Sequence, residues 1–185
     1  MTNSLIGTLL IAAPQMSEGL FMRSVCLVVH HDDTGAIGLM LNRPMKIELP
    51  QLWELLAEGR SPVEQIHPIH FGGPISGPVL VLHNQQALAE AQTGEGVYVA
   101  AQREHLQQLL GSPQDSVRLI VGHAGWSGGQ LEHELATGIW YTLPATPELV
   151  FEADELMWSD LVRKAVGRQL TQWIGSKPIP DPTWN

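Results

Sequence analysis

Cysteine is nearly absent from this 185-residue chain, which holds only Cys26. A single thiol excludes an intramolecular disulfide framework and fits a reducing compartment. Charge is sparse at 16%, and positive charge sparser still: ten Lys and Arg against nineteen Asp and Glu leave a net −9. The acids are spread out. Residues 1–43 hold three acids and two bases, 44–120 eight and four, and 121–185 eight and four. No basic half exists to hold a phosphate backbone, which argues against nucleic acid as a partner. No apolar run approaches the ~20 residues that span a bilayer. The run at 5–13 has no Lys or Arg ahead of it, the first cation being Arg23, so it reads as a buried strand and not a secretory leader. A soluble, cytoplasmic protein is expected.

What is present is apolar and turn-rich. Hydrophobic residues make up 44%, which rules out a disordered chain, and 18 Gly with 13 Pro point to many tight turns. Strands are expected at 5–12, 24–30 and 36–42. The second and third are joined by the turn residues Asp32-Asp33-Thr34-Gly35 as an antiparallel hairpin. A helix is expected at 50–58 and a short turn from Ser61, then strands at 66–71 and 78–83. Residues 84–96 read as a polar loop with room for a short helix, followed by a brief strand at 97–99. A helix at 101–110, a strand at 117–123, a helix at 128–137 and a strand at 139–143 follow. Thr146-Pro147-Glu148 starts a helix by hydroxyl cap, Pro at the first position and carboxylate in the first turn. A long helix spans 158–174, with Gly167 as a bend or break. Strands cluster first and then interleave with helices. This predicts an α+β fold: one compact domain, 1–175, with a mixed, largely antiparallel sheet flanked by helices, and a Pro-rich tail at 176–185.

The motif with most chemical content is Gly125-Trp126-Ser127-Gly128-Gly129. It matches Gly-x-Ser-x-Gly, the elbow that exposes a nucleophilic serine between strand and helix. On that fold the base follows the serine, and here the only later histidine is His133. Six helical residues put it about 9 Å further along the axis, out of reach. Ser127-Gly128-Gly129-Gln130 also has capping-box spacing, so Ser127 reads as a helix cap. Cys26, mid-strand in an apolar run, reads as an inert core thiol. Neither His67 and His70 nor His30-His31-Asp32-Asp33 has metal-ligand spacing, so no metal is expected. Neither Walker nor Rossmann glycine spacing occurs, and no cofactor is expected. Gln130 and Glu134 share a helix face while Leu131 and Leu135 point inward. Arg43 emerges at a sheet rim after an apolar strand, either toward a ligand or into an ion pair. Arg163, Lys164 and Arg168 sit beside Asp154, Glu155 and Asp160, a mixed surface without a DNA-binding motif.

Several segments occur together in order. They are Gly7-Thr8-Leu9-Leu10-Ile11-Ala12-x-Pro14, Phe21-x-Arg23-Ser24-Val25, Gly35-Ala36-x-Gly38-x-x-x-Asn42-Arg43-Pro44, Gly72-Gly73-Pro74 and Gly122-x-x-Gly125-Trp126-x-x-Gly129-Gln130-Leu131-Glu132-x-Glu134, with Trp140 and Trp158 following. From Leu5 to Trp158 the chain closely resembles the AlgH/YqgE family of bacterial proteins. The resemblance implies a compact α+β domain without an established activity, in a family labelled as transcriptional regulators through regulatory association. Carried onto matching positions, it implies a surface of Asn42, Arg43, Gly72, Gly73, Gly125, Trp126, Gln130 and Glu134. The expected role is regulatory and non-enzymatic: binding a small anionic ligand or a protein partner, with Arg43 and the helix start at Gly128–Gln130 sharing the anion. The alternatives are a hydrolase using Ser127 or, less readily, Cys26, and direct DNA binding.

Overall fold

The computed structural model describes residues 4–46, 68–110 and 116–175. The helix expected at 50–58, the turn from Ser61 and the tail at 176–185 lie outside them. Nine strands form one mixed sheet: β1 Thr8–Ala12, β2 Val25–Asp32, β3 Gly35–Met40, β4 Ile69–Phe71, β5 Ile75–His83, β6 Ala91–Gly94, β7 Val97–Ala100, β8 Val117–Ser127 and β9 Trp140–Pro144. Their order is β6-β7-β5-β8-β3-β2-β1-β9, with β4 beside the first half of β8. Every pairing between strands is antiparallel except β4 with β8. The helices are α1 Arg103–Leu110, α2 Gln130–Ala136, the single-turn α3 Pro147–Val150 and α4 Asp154–Gly175. No described helix is long and apolar enough to cross a membrane.

Alternation sorts side chains onto two faces. Leu9, Ile11, Leu27, Leu39, Leu41, Leu82 and Ile120 face one way and meet Met157, Leu161 and Ala165 of α4. On the opposite face, Leu10, Cys26, Met40 and Trp126 pack under α2, and Ile69, Val81 and Leu119 under α1. Each fully buried leucine contributes about 1.5–3 kcal/mol by leaving water. The sheet curls until its ends approach. A Cβ placed on Gly94 of β6 would lie 3.0 Å from the Ala145 Cβ, just past β9.

β9 is the other edge. Ala13 N–H donates to the Ile139 carbonyl and Ala145 N–H to the Gly7 carbonyl, each 2.8–3.0 Å. Antiparallel strands alternate, so Trp140, Thr142 and Pro144 turn their backbone groups outward. Proline sits where an N–H would have no partner in the sheet, the position an edge strand tolerates.

α4 runs antiparallel to β1. Trp158 Nε1 donates to the Ala12 carbonyl at 2.8 Å, and ten residues on, Arg168 stands beside Gly7 and Thr8. Ten helical residues rise about 15 Å and four strand residues about 13 Å, so the two elements stay in step. The helix continues through Gly167 without a break.

Two expectations fail. Residues 84–96 hold the short helical turn allowed for, Gln86–Leu88, but also an edge strand, β6, that was not expected. Only Thr93 of β6 is buried, so the segment lacks the apolar alternation that marks a strand. The strand expected at 117–123 continues to Ser127, because β3 pairs with Ala124–Ser127 after β4 has paired with Leu119–Val121.

One buried cation ties sheet to helix. Arg118 of β8, 6% exposed, donates from Nε to the Val150 carbonyl at 3.1 Å, from Nη1 to Leu41 at 2.6 Å and from Nη2 to Glu152 at 2.8 Å. It also pairs with Asp154 at the start of α4. His70 Nε2 lies 2.9 Å from Asp154 Oδ2 and 2.8 Å from Arg118 Nη1. Burial raises the Asp154 carboxyl, but hydrogen bonds from His70 and Arg118 and the Arg118 charge outweigh it and hold the group below its ordinary value.

Arg118→Leu strands Asp154 and three carbonyls, and urea denaturation should show a loss of about 3–5 kcal/mol. A carboxyl depressed in the folded state contributes stability above its unfolded value of ~3.9 and loses it as pH falls through the folded value. Unfolding free energy should therefore drop on acidification below about pH 4, and Asp154→Asn should show a shallower drop. An equal acid slope in the variant would remove Asp154 from the account.

Candidate functional site

The family motif around Trp126 resolves into a closed chain of hydrogen bonds. Gln130, first residue of α2, accepts at Oε1 from the Ser127 N–H and from the Ser127 hydroxyl, both at 3.1 Å. Its Nε2 donates to Glu134 Oε1 at 3.0 Å, one turn on. Glu134 Oε2 accepts two indole N–H groups, Trp126 at 2.8 Å and Trp140 at 2.7 Å. Both indoles are buried. Phe21 completes the cluster, its ring 6.3 Å from Trp126 and 5.9 Å from Trp140. The helical i, i+4 spacing of Gln130 and Glu134 puts both on one face, as expected, while Leu131 is buried beneath. That face grips indoles instead of lining an open cleft.

Ser127 is therefore neither of the two things its motif suggested. It does not cap α2: Gly129 does, with φ +76, a conformation only glycine adopts without strain. What forms is the returning half of a capping box, Gln130 reaching back to the Ser127 N–H. Nor does Ser127 have a base, for its hydroxyl donates to an amide oxygen. His31, two strands away, has both ring nitrogens engaged: Nδ1 accepts from the Leu5 N–H at 3.1 Å and Nε2 donates to Glu132 at 2.7 Å. Cys26 is fully buried, and desolvation pushes its thiol up to about 12. Among the described residues no group of three or more His, Cys, Asp or Glu could hold a metal ion.

The second half of the expected surface lies elsewhere. Asn42 acts as a piece of strand, its Oδ1 accepting from Val25 N–H at 3.0 Å and its Nδ2 donating to the Arg23 carbonyl at 2.9 Å. Arg43 donates from Nη1 to the carbonyls of Arg23 and Asn42, at 3.3 and 3.1 Å, and from Nη2 to that of Met22. It has no carboxylate partner among the described residues, so the ion pair held open above is not formed there. Both side chains clamp Arg23, the one non-glycine residue with positive φ (+54) among those described. The Arg23 guanidinium lies 5.5 Å from the Trp158 ring centre. Arg23 stands in a family segment, but no local pattern in the sequence marks it as a left-handed arginine.

Gly72 and Gly73 are buried against Gly122 and His123 of β8, where a Cβ would collide with backbone. Gly125 lies in β8 beneath Ile75, whose Cδ1 would be 2.7 Å from a Cβ there. Close packing explains Gly72 and Gly73; at Gly125 only the end of the exposed Ile75 side chain would have to move. Arg43 and the start of α2 do not converge. Ser127 is opposite Gly35 at the beginning of β3, and Arg43 lies beyond its end at Met40. Five residues of strand alone span about 16 Å, so the shared anion pocket expected of these two elements is not formed.

The AlgH-like family model, DUF179, matches residues 9–169. This chain belongs to the AlgH-like family. A UPF0301 protein of Chlorobium luteolum is 39% identical over 179 residues, covering 93% of this chain and 90% of the relative. One from Chlamydia trachomatis is 33% identical, covering 88% and 87%. The solution structure of the AlgH protein from Pseudomonas aeruginosa superimposes with a TM-score of 0.72 at 26% identity, covering 97% of this chain and all of that one. The crystal structure of DIP2367 from Corynebacterium diphtheriae, at 0.65 and 24% identity over 97% and 90% of the two chains, shares the fold.

Two measurements check this account of the motif. Glu134→Ala leaves two buried indole N–H groups without acceptors and should cost about 2–5 kcal/mol, with a red-shifted tryptophan emission. Cys26 should resist a thiol reagent such as dithionitrobenzoate in the native protein and react once unfolded; rapid native labelling would contradict the raised thiol.

Proposed function

We propose that this AlgH-like protein is a cytoplasmic regulatory protein that works by binding and not by catalysis. It recognises the anionic group of a small ligand or protein partner at the rim formed by Arg23, Asn42 and Arg43. The observation that carries this is the pair of arginines with no carboxylate partner among the described residues. Arg43 spends three donor contacts on carbonyls, and its Nε–H has no partner among the described residues. Arg23 is held in a left-handed conformation that costs of order 1–3 kcal/mol, and such strain concentrates at functional sites. In a protein of net charge −9, two cations joined through the Arg43 bond to the Arg23 carbonyl supply local positive charge.

Catalysis has less support. Ser127 lacks a base and Cys26 lacks exposure, so a hydrolase would need a different nucleophile. Direct DNA binding has less still, since Arg163 pairs with Asp160 and Lys164 lies 3.8 Å from Glu152.

A thermal-unfolding series with inorganic phosphate as the probe tests the rim. A ligand that binds only the folded state at 100 times its dissociation constant adds about 2.7 kcal/mol. The melting temperature should rise with phosphate beyond the effect of chloride at equal ionic strength. Arg23→Gln should abolish the excess. No excess in the native protein would sink the anion rim. Labelling of Ser127 by a fluorophosphonate would restore the hydrolase, and salt-sensitive retardation of duplex DNA at physiological ionic strength would restore DNA binding.

A further inference from the structure

A second polar concavity lies at the opposite end of α4 from the Arg23–Arg43 rim. It is a cleft of about 360 Å³ between β9 and the last turns of α4. Leu143, Pro144 and Ala165 give it an apolar floor, and Arg168, Gln169 and Gln172 line it from the helix. Thr8 and Thr142 stand on the sheet side. That volume is at the small end of ligand pockets.

Three features of this cleft point the same way. First, Arg168 has no carboxylate partner among the described residues, although Arg163 of the same helix is paired with Asp160. Second, among the described residues no Asp or Glu lines the cleft, in a chain where acids outnumber bases nineteen to ten. Third, β9 is an edge strand, and the alternation set by Ala13–Ile139 and Ala145–Gly7 turns the Thr142 N–H and carbonyl outward, away from β1. One guanidinium fork, two carboxamides and an outward-turned stretch of strand edge therefore line one concavity.

We infer that this cleft binds a small monocarboxylate that also carries an amide. The charge count favours one negative charge: a single guanidinium balances a carboxylate, and a phosphate dianion would leave a charge among neutral amides. The fork geometry matches the planar carboxylate through two parallel N–H bonds. The Thr142 backbone supplies one donor and one acceptor, the complement of an amide, as in the addition of one residue of strand. Gln169 and Gln172 can each donate and accept, and so hold either end of the ligand. Pro144 has no N–H to offer, which limits pairing along this edge and favours a short ligand over a long strand.

N-acetylglycine is the probe, titrated into the full chain at constant ionic strength and followed by amide-proton NMR. Saturable shifts should appear at Thr142, Arg168, Gln169 and Gln172. N-acetylglycinamide, of the same shape without the charge, should leave these signals unmoved. Arg168→Gln should weaken binding at least tenfold with the remaining spectrum unchanged, since this exposed side chain has no hydrogen bond or ion pair among the described residues. Arg168→Lys keeps the charge but loses the fork and should weaken binding severalfold. Non-saturating shifts, equal shifts with the neutral analogue, or unchanged binding in Arg168→Gln would each overturn the proposal. Tighter binding of inorganic phosphate at the same residues would overturn the carboxylate assignment. Because Arg23→Gln leaves Arg168 untouched, a failure here and a failure of the rim read out separately.

Discussion

The rest of the structure depends on a guanidinium placed where an aliphatic side chain would be expected. Arg118 occupies a buried position in β8, flanked by Val117 and Leu119, and takes carbonyl groups from three places: the end of β3, the single turn α3 and the link into α4. Such a group is expensive to bury and becomes tolerable only when nearly every donor is satisfied. The acceptors must therefore be brought to it with little freedom, and Asp154 must be close enough to balance the charge. The requirement fixes where α4 begins. From that origin the helix follows β1, covering one face of the sheet and arriving with Arg168 beside Thr8.

A similar economy runs through the family motif. The residues that look chemically provocative in sequence, a serine between glycines, a tryptophan, a glutamine and a glutamate, turn out to hold one another. Glu134 is an acceptor for two indoles, Gln130 a relay between Glu134 and Ser127, and Asn42 with Arg43 a clamp on the backbone of Arg23. Polar side chains here substitute for backbone pairing at places where strands end and turns must be held. Among the described residues, Arg23, Arg43 and Arg168 have no carboxylate partner.

Much of this architecture was legible in advance. The hairpin of β2 and β3 announced itself through apolar runs and the Asp-Asp-Thr-Gly turn, and Asp32 does bind the Thr34 and Gly35 N–H groups from its Oδ1, at 2.8 and 3.2 Å. α2 and α4 were visible through spacing, and the ordered motifs pointed to the family. β6 was hidden because an edge strand with one buried residue has no alternation to detect. The extent of β8 was hidden because glycines at 122 and 125 imitate a turn, whereas they are there to let β5 and the 72–73 backbone approach. The site divided for a different reason: neighbours in a motif need not be neighbours across a sheet. Asn42 and Gln130 belong to opposite ends of β3, a fact about pairing register, which no local pattern encodes.

Gly122 has one more consequence. Its φ of +77 interrupts β8 midway, and the side-chain alternation changes phase across it. Ile120 belongs to the face under α4, whereas Ala124 and Trp126, also even-numbered, belong to the face under α2. One continuous strand thus behaves as two half-strands of opposite parity, with a single residue as the phase shifter. The two halves can be edited independently only if their length is conserved. A one-residue insertion or deletion on either side would invert half the strand and turn Trp126 away from Glu134.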